Sequence, residues 1–240
     1  MKRILIIGCC ILFPFLFLFS ACSPAVSFIS ASTPAFPGLA WGMSKEEVFE
    51  ALGVEKEDTE KLVESTPFNA YIYQINEYSL GGKTMSLLLY FPDPQWEEES
   101  GMDLGLYEIR MLCDKQTAAA ILEEFEESGY SLFENVSYQE DTAYINQKWS
   151  GPNAYQASLD KGLWEEMEKA LISIHGLEGQ TIPLRDLDTP EKLMQYYAKD
   201  GALSSLSYYP GYYTEENGEY FTYYGFYAAA LAMVERQQTP

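Results

Sequence analysis

The stretch YIYQINEYSLGGKTMSLLLYF, residues 71–91, reads as a β-hairpin. Residues 71–80 alternate apolar and polar side chains at the two-residue period of a half-buried strand. Gly81-Gly82 supplies the backbone freedom that a two-residue hairpin turn needs. Residues 83–91 follow with Met85, Leu87, Leu88, Leu89 and Tyr90 almost unbroken by polar groups. That pattern predicts a central strand covered on both faces. An isolated hairpin is not stable in water, so its apolar side needs further strands or helices from the flanking sequence.

Upstream, Ser44-Lys45-Glu46-Glu47 opens a helix, with Ser44 as N-cap and Glu47 closing a capping box. Val48, Ala51 and Leu52 give it an apolar face, and Gly53 ends it. Downstream, residues 92–105 read as a polar acidic loop and residues 106–113 as a third strand. Residues 115–128 read as a helix with Ala119, Leu122 and Phe125 on one face, stopped by Gly129. The theme returns more weakly in residues 142–149 and 155–159, short strands around a Gly151-Pro152 turn. Residues 163–174 fit a helix or a strand, because Ile172 and Ile174 are β-branched. Residues 176–179 mark a boundary, after which Thr189 and Pro190 start a helix as N-cap and N1. The tail carries Tyr208, Tyr209, Tyr212, Tyr213, Tyr220, Tyr223, Tyr224 and Tyr227. From Phe221 onward Tyr224, Ala228 and Leu231 fall at heptad-like spacing, which predicts an amphipathic helix ending near Arg236.

The N-terminus has a different character. Lys2 and Arg3 precede an uncharged apolar run, residues 4–19, and Ser20-Ala21 place small side chains before Cys22. The run is short of the roughly 20 residues of a transmembrane helix and contains Pro14. Cleavage as a signal peptide is the expectation. Leu18-Phe19-Ser20-Ala21-Cys22 resembles the lipobox of bacterial lipoproteins, which implies acylation of the Cys22 thiol; Phe19 departs from the aliphatic residue usual there. A rival site at Cys9 would leave residues 4–7 as the apolar region, below the roughly 7 residues such a region needs. An ordinary signal peptide with a nearby cysteine is the plainer alternative. Residues 23–37, rich in Ser, Ala and Pro, read as a tether.

Across the 240 residues, 36 acidic side chains outnumber 15 basic ones, for a net charge of −21. Such a balance repels phosphate backbones and argues against nucleic-acid binding. Aromatic content of 15% is enough for a substantial core rather than a disordered chain. Of the 4 cysteines, Cys9 and Cys10 leave with the signal peptide and Cys22 takes lipid. Cys113 is then without a disulfide partner and reads as a buried small hydrophobe.

The run Gly38-Leu39-Ala40-Trp41-Gly42-Met43-Ser44, with Glu46-Glu47-Val48 and Leu52-Gly53 behind it, resembles the opening of known envelope domains. These are the BamE (SmpA/OmlA) outer-membrane assembly lipoproteins and the β-lactamase-inhibitor-like domains. The resemblance covers residues 38–53, and the strands to Cys113 in pattern only. It implies a helix followed by an antiparallel sheet, with Trp41 or Met43 as a hydrophobic staple, and the order recurs in a way that suits a tandem repeat. The former family scaffolds a membrane machine and the latter plugs an enzyme, so likeness of fold does not choose a function.

The expected class is therefore α+β: an antiparallel sheet packed against helices, as one domain or two repeats, plus a mainly helical Tyr-rich C-terminal region. The expected segments are 1–21 signal peptide, 22–37 tether, 38–176 α+β domain and 177–240 Tyr-rich region. His175 is the lone histidine, without a nucleophile-elbow motif beside it, so neither a catalytic triad nor a usual zinc site is expected. Asp93, Glu97, Glu98, Glu99 and Asp103 share one stretch and have the chemistry of Ca²⁺ ligands, but their spacing is not that of an EF-hand and a solvated loop is the simpler reading. No cofactor is implied. Tyrosine joins an apolar ring to a polar tip and suits interfaces. Tyr208, Tyr209, Tyr212, Tyr213, Tyr220, Tyr223 and Tyr224 are accordingly the candidate binding surface. The expected function is a non-enzymatic protein-binding or scaffold module, held to a bacterial membrane outside the cytoplasm by lipid on Cys22, whose partner is another envelope protein. The alternative is a cell-wall-directed hydrolase or an enzyme inhibitor.

Overall fold

A computed structural model describes residues 36, 38–55, 60–64, 70–128, 130–134, 147–174, 202–213 and 218–239. Residues 1–35 with Cys22, Gly129, residues 142–146, His175, the boundary at 176–179 and the helix begun by Thr189 lie outside them. The elements run α1 (Lys45–Leu52), β1 (Glu60–Glu64), β2 (Ala70–Leu80), β3 (Lys83–Phe91), α2 (Pro94–Ser100), β4 (Glu108–Cys113), α3 (Lys115–Glu127) and β5 (Ser131–Glu134). They continue with β6 (Gln147–Ser150), α4 (Ala154–Asp160), α5 (Trp164–Ile174), β7 (Ser205–Tyr213), β8 (Gly218–Tyr224) and α6 (Phe226–Gln238). The class is α+β. Among the described residues the strands form one antiparallel sheet in the order β1-β2-β3-β4-β8-β7-β6-β5.

Local sequence explains the helix ends. Ser44 Oγ accepts the Glu47 N–H at 3.3 Å while Glu47 Oε2 accepts the Ser44 N–H at 2.8 Å, completing the capping box. Gly53 closes α1 in the left-handed conformation. Asp114 caps α3 through the Thr117 N–H at 2.7 Å, and Asn153 caps α4 through the Gln156 N–H at 3.0 Å.

The register sorts the strand residues onto two faces. One lateral row runs Tyr73, Leu89, Ile109, Tyr223, Leu206, Trp149 across successive strands. The next runs Ile75, Leu87, Met111, Phe221, Tyr208 on the same face. α1 covers this face through Phe49, whose ring meets Tyr73 edge-on at 5.3 Å, and α3 covers it through Phe125, edge-on to Tyr223 at 5.3 Å. Leu87, Leu89, Ile109, Leu206 and Phe221 are fully buried, each favouring the fold by about 1.5–3 kcal/mol over exposure. Beside them the Tyr130 hydroxyl hydrogen-bonds both Ser204 and, at 2.8 Å, Tyr223, so the buried phenols have partners.

α6 ties the ends of the chain together. Arg236 donates to the Gly42 carbonyl at 2.9 Å and the Asp103 carbonyl at 2.7 Å. At its start, Trp41 lies over Gly225 so closely that a Cβ there would sit 2.0 Å from the indole. Gly105, with φ of 65°, brings its Cα against the Gly42 carbonyl, where a Cβ would be 2.4 Å away.

Several expectations are corrected. Among the described residues of the Tyr-rich region, Tyr208 and Tyr209 lie in strand β7 and Tyr220, Tyr223 and Tyr224 in strand β8, and helix is confined to α6. Tyrosine packs well on a pleated surface, and β4 supplies the pairing edge that local spacing does not reveal. The heptad-like spacing straddles the β8–α6 junction at Gly225, so the helix begins only at Phe226. Strands from either side of residue 176 share one sheet, with β8 between β4 and β7. Residues 155–159 belong to a helix, α4, set by the Asn153 cap, and residues 164–174 are helical. The stretch 92–105 contains α2, opened by Asp93 with Pro94 and closed by Gly101. On α1 the buried face uses Phe49 rather than Ala51; on α3 it uses Ala118, Ile121 and Phe125, with Leu122 half-buried against the core and Ala119 exposed. Strand β3 is fully buried on the face of Leu87 and Leu89; on the other face Tyr90 is buried and Leu88 half-buried.

Candidate functional site

Strand alternation puts a second set of side chains on the face opposite α1 and α3. A central row there reads Gln74, Leu88, Arg110, Thr222, Ser207, every member half-buried. On one side of it lie Ser86, Leu112, Tyr220 and Tyr209, and on the other Tyr90, Glu108, Tyr224 and Ser205. Arg110 Nε donates to Glu108 Oε1 at 2.6 Å, and its guanidinium sits 4.2 Å from the centre of the Tyr90 ring. Burial works against the guanidinium charge, and Glu108 beside it more than offsets that, so Arg110 holds its proton above the usual arginine range. The result is a half-buried, fixed cation packed beside the buried Tyr90 and Glu108, and arginine next to aromatic rings is a combination enriched at protein-binding hot spots.

The tyrosines of the tail divide between the faces. Tyr209 and Tyr220 pair on the face of Arg110, ring centres 5.5 Å apart, and Tyr224 lies there too, stacked on Phe226 at 6.1 Å. Tyr220 is mostly covered, at 9% exposure. Burial, with Glu108 alongside, raises the Tyr224 phenol well above its ordinary value, so it is a neutral hydrogen-bonding group. Tyr208 is on the helix face, stacked on Phe221 at 4.8 Å and donating to Glu219 at 2.8 Å. Tyr223 is in the core at 1% exposure, edge-on to Trp41, and offers no surface. Tyr212 and Tyr213 belong to β7, and their side chains lie outside the described residues.

A separate cleft of about 220 Å³ opens beside α1 and α2, lined by Ser44, Lys45, Glu46, Tyr71, Tyr73, Phe91, Pro92, Pro94, Glu97, Asp103 and Gly105. Glu97, from α2, accepts backbone N–H groups of Gly105 and Leu104. Burial first, and the Asp103 charge second, push its carboxyl up to about 7 despite those bonds and the nearby Arg236. Of the acidic stretch considered for Ca²⁺, Asp93 is spent as the α2 cap and Glu98 and Glu99 are exposed. Among the described residues no group of three or more His, Cys, Asp or Glu side chains is disposed to hold a metal ion.

Cys113 is buried, and burial followed by the charges of Asp114 and Glu219 pushes its thiol up to about 12. At neutral pH it is therefore held as the thiol, the weakly nucleophilic form. Arg110 and the Glu97 cleft were not singled out as sites from sequence. For Arg110 the available signal was the alternation Glu108, Arg110, Leu112 in a strand whose other positions are Ile109, Met111 and Cys113. Among the described residues no helix is long and apolar enough to cross a membrane. The chain matches no family model, curated protein or solved structure at a significant level.

Proposed function

We propose that this protein is a membrane-tethered, non-enzymatic binding module of the bacterial cell envelope, meeting another envelope protein through the half-buried row of Leu88, Arg110, Thr222 and Ser207 on the sheet face opposite α1 and α3. The observation that carries the reading is the Arg110–Glu108 pair, packed on Tyr90 and bordered by Tyr209, Tyr220 and Tyr224 on the sheet face opposite α1 and α3. Lipid on Cys22 would localise it, and residues 23–37 would give it reach. The five strands of the central row span roughly 19 Å at about 4.8 Å per spacing. A stable partner covers about 800 Å² on each side, so the contact extends onto the neighbouring loops.

The strand order also bears on the resemblance to BamE-like and inhibitor-like domains. α1 precedes four sequentially adjacent strands, β1–β4, and α3 precedes four more, β5–β8, and the two sets join through their last strands. We read this as a tandem arrangement of the kind the resemblance implies. An enzyme-inhibiting role would use the same face of the sheet.

A photo-crosslinking side chain at Leu112 on the face of Arg110 should yield a discrete protein adduct in the native membrane, and one at Asp160 on α4 should not. Absence of any adduct from several positions on that face would sink the reading. Cys22→Ala should release the protein from the membrane fraction, and the wild-type mass should carry a diacylglycerol increment. A wild-type chain without that increment removes the anchor.

Glu97 beside Asp103 is the observation that favours the other class, a cell-wall-directed hydrolase, since burial brings the Glu97 carboxyl up to about 7, where it can give or take a proton near neutrality. Against it, the cleft is smaller than the roughly 300 Å³ at which ligand pockets usually begin. Release of soluble fragments from purified cell wall, lost in Glu97→Gln, would establish that class in place of the first.

A further inference from the structure

The cleft between α1 and α2 opens on the helix face, away from the proposed partner surface, and its lining has a definite chemistry. Tyr71, Tyr73, Phe91 and Pro92 form apolar walls, and Glu97 and Asp103 supply carboxylates. Its volume, about 220 Å³, suits one slender chain. Tyr73 and Phe91 are buried and pack edge-on to each other at 5.8 Å, so their ring faces do not make a flat platform for a sugar. An anion is disfavoured as well. The capping box engages the Ser44 and Glu47 N–H groups of α1, and Glu46, Glu97 and Asp103 outnumber Lys45, paired with Glu46 at 3.0 Å, and Arg236, 3.9 Å from Asp103. The rings already accept a cation from the chain's own side chains, since the Lys45 ammonium lies 5.8 Å from the centre of the Tyr73 ring.

We propose that this cleft binds a primary alkylammonium group, its methylene stem against Tyr71, Tyr73 and Pro92 and its ammonium on the carboxylates of Glu97 and Asp103. An apolar stem with a cationic tip is the shape such a lining matches. Two sources carry this chemistry: a lysine side chain of a protein and a free diamine. The overall charge of −21 draws either one towards the protein. Binding requires Glu97 ionised. The groups that face it are Asp103, Lys45 and Glu46 in the cleft and Arg236 from α6.

The test is a ligand-observed NMR titration of the full chain in detergent with Nα-acetyl-lysine amide, 1,5-diaminopentane and the neutral Nε-acetylated lysine amide. Saturable binding of the charged probes and none of the neutral one is expected, with affinity rising from pH 6 to pH 8. Lysine amide binding well above the diamine identifies a protein side chain as the source; equal binding identifies any alkylammonium. Glu97→Gln should weaken binding roughly tenfold, the loss of a charge-assisted contact. Glu99→Gln, on the exposed side of α2, should leave it unchanged. Asp103→Asn, at a side chain 72% exposed, carries the same expectation as Glu97→Gln and spares the fold. Equal binding of the neutral probe, no binding of either charged probe, or unchanged affinity in both cleft variants overturns the proposal.

Discussion

Ser44 shows how much one side chain contributes. Its hydroxyl and the Glu47 carboxylate satisfy donors at the start of α1 that would otherwise be open, and the Glu47 carboxyl titrates below its usual range because of those Ser44 bonds. Ser44→Ala is expected to lower unfolding free energy by about 1 kcal/mol, read as a lower urea midpoint at unchanged slope. A midpoint identical to wild type would mean that α1 is held by packing alone. This residue was legible in sequence because a capping box is local, four residues long and independent of the rest of the chain. Tyr223 was not legible. Nothing within a few residues of it says that its ring packs on Trp41 and Phe125 and its hydroxyl bonds Tyr130.

At the scale of elements, hairpin β2–β3 and helix α3 emerge from sequence nearly as they stand, because alternation and capping are short-range signals. For helices α2 and α4 the local pattern points instead to loop and strand. Each is only seven residues long, too short for a helical period to show clearly. Helix α2 brings the most telling pH effect. Glu97 titrates near 7 in the folded chain against roughly 4.3 unfolded. Between those values the folded state binds the proton and the unfolded state does not, so stability falls as pH rises from about 4.5 to 7. Solvent reaches part of this carboxyl, which moderates the slope. Glu97→Gln should flatten that segment of the profile and unfold at a higher temperature than wild type at pH 8. Parallel curves for the two proteins across pH 5–8 would show that another group sets the dependence.

For the whole molecule, the C-terminal strands have the largest consequence. With β8 between β4 and β7, the row Leu87, Met111, Phe221 is a single buried layer built from both halves of the chain. A chain stopped at residue 176 leaves β4 with a bare edge and strips the cover from Ile109 and Met111. Such a truncation should lose its cooperative thermal transition by circular dichroism. If it melts as one sharp transition, the two halves are independent domains after all. Partner mapping therefore calls for substitutions on the sheet face opposite α1 and α3, such as Arg110→Ala, and not for removal of the tail.

The sequence by itself determined the α+β class, the first hairpin, the cap of α1 and the pairing-poor chemistry of Cys113. It also carries the argument for lipid on Cys22, which rests on a linear signal. Only the tertiary structure decided that Tyr208, Tyr209, Tyr220, Tyr223 and Tyr224 lie on strands, β8 at the centre of the sheet, that Tyr223 is core while Tyr209 and Tyr224 share a face with Arg110, and that Glu97 meets Tyr71 and Tyr73 in one cleft. The physical reason is that strand pairing joins residues more than a hundred positions apart. Which face a side chain presents follows from that register, and no local period encodes it.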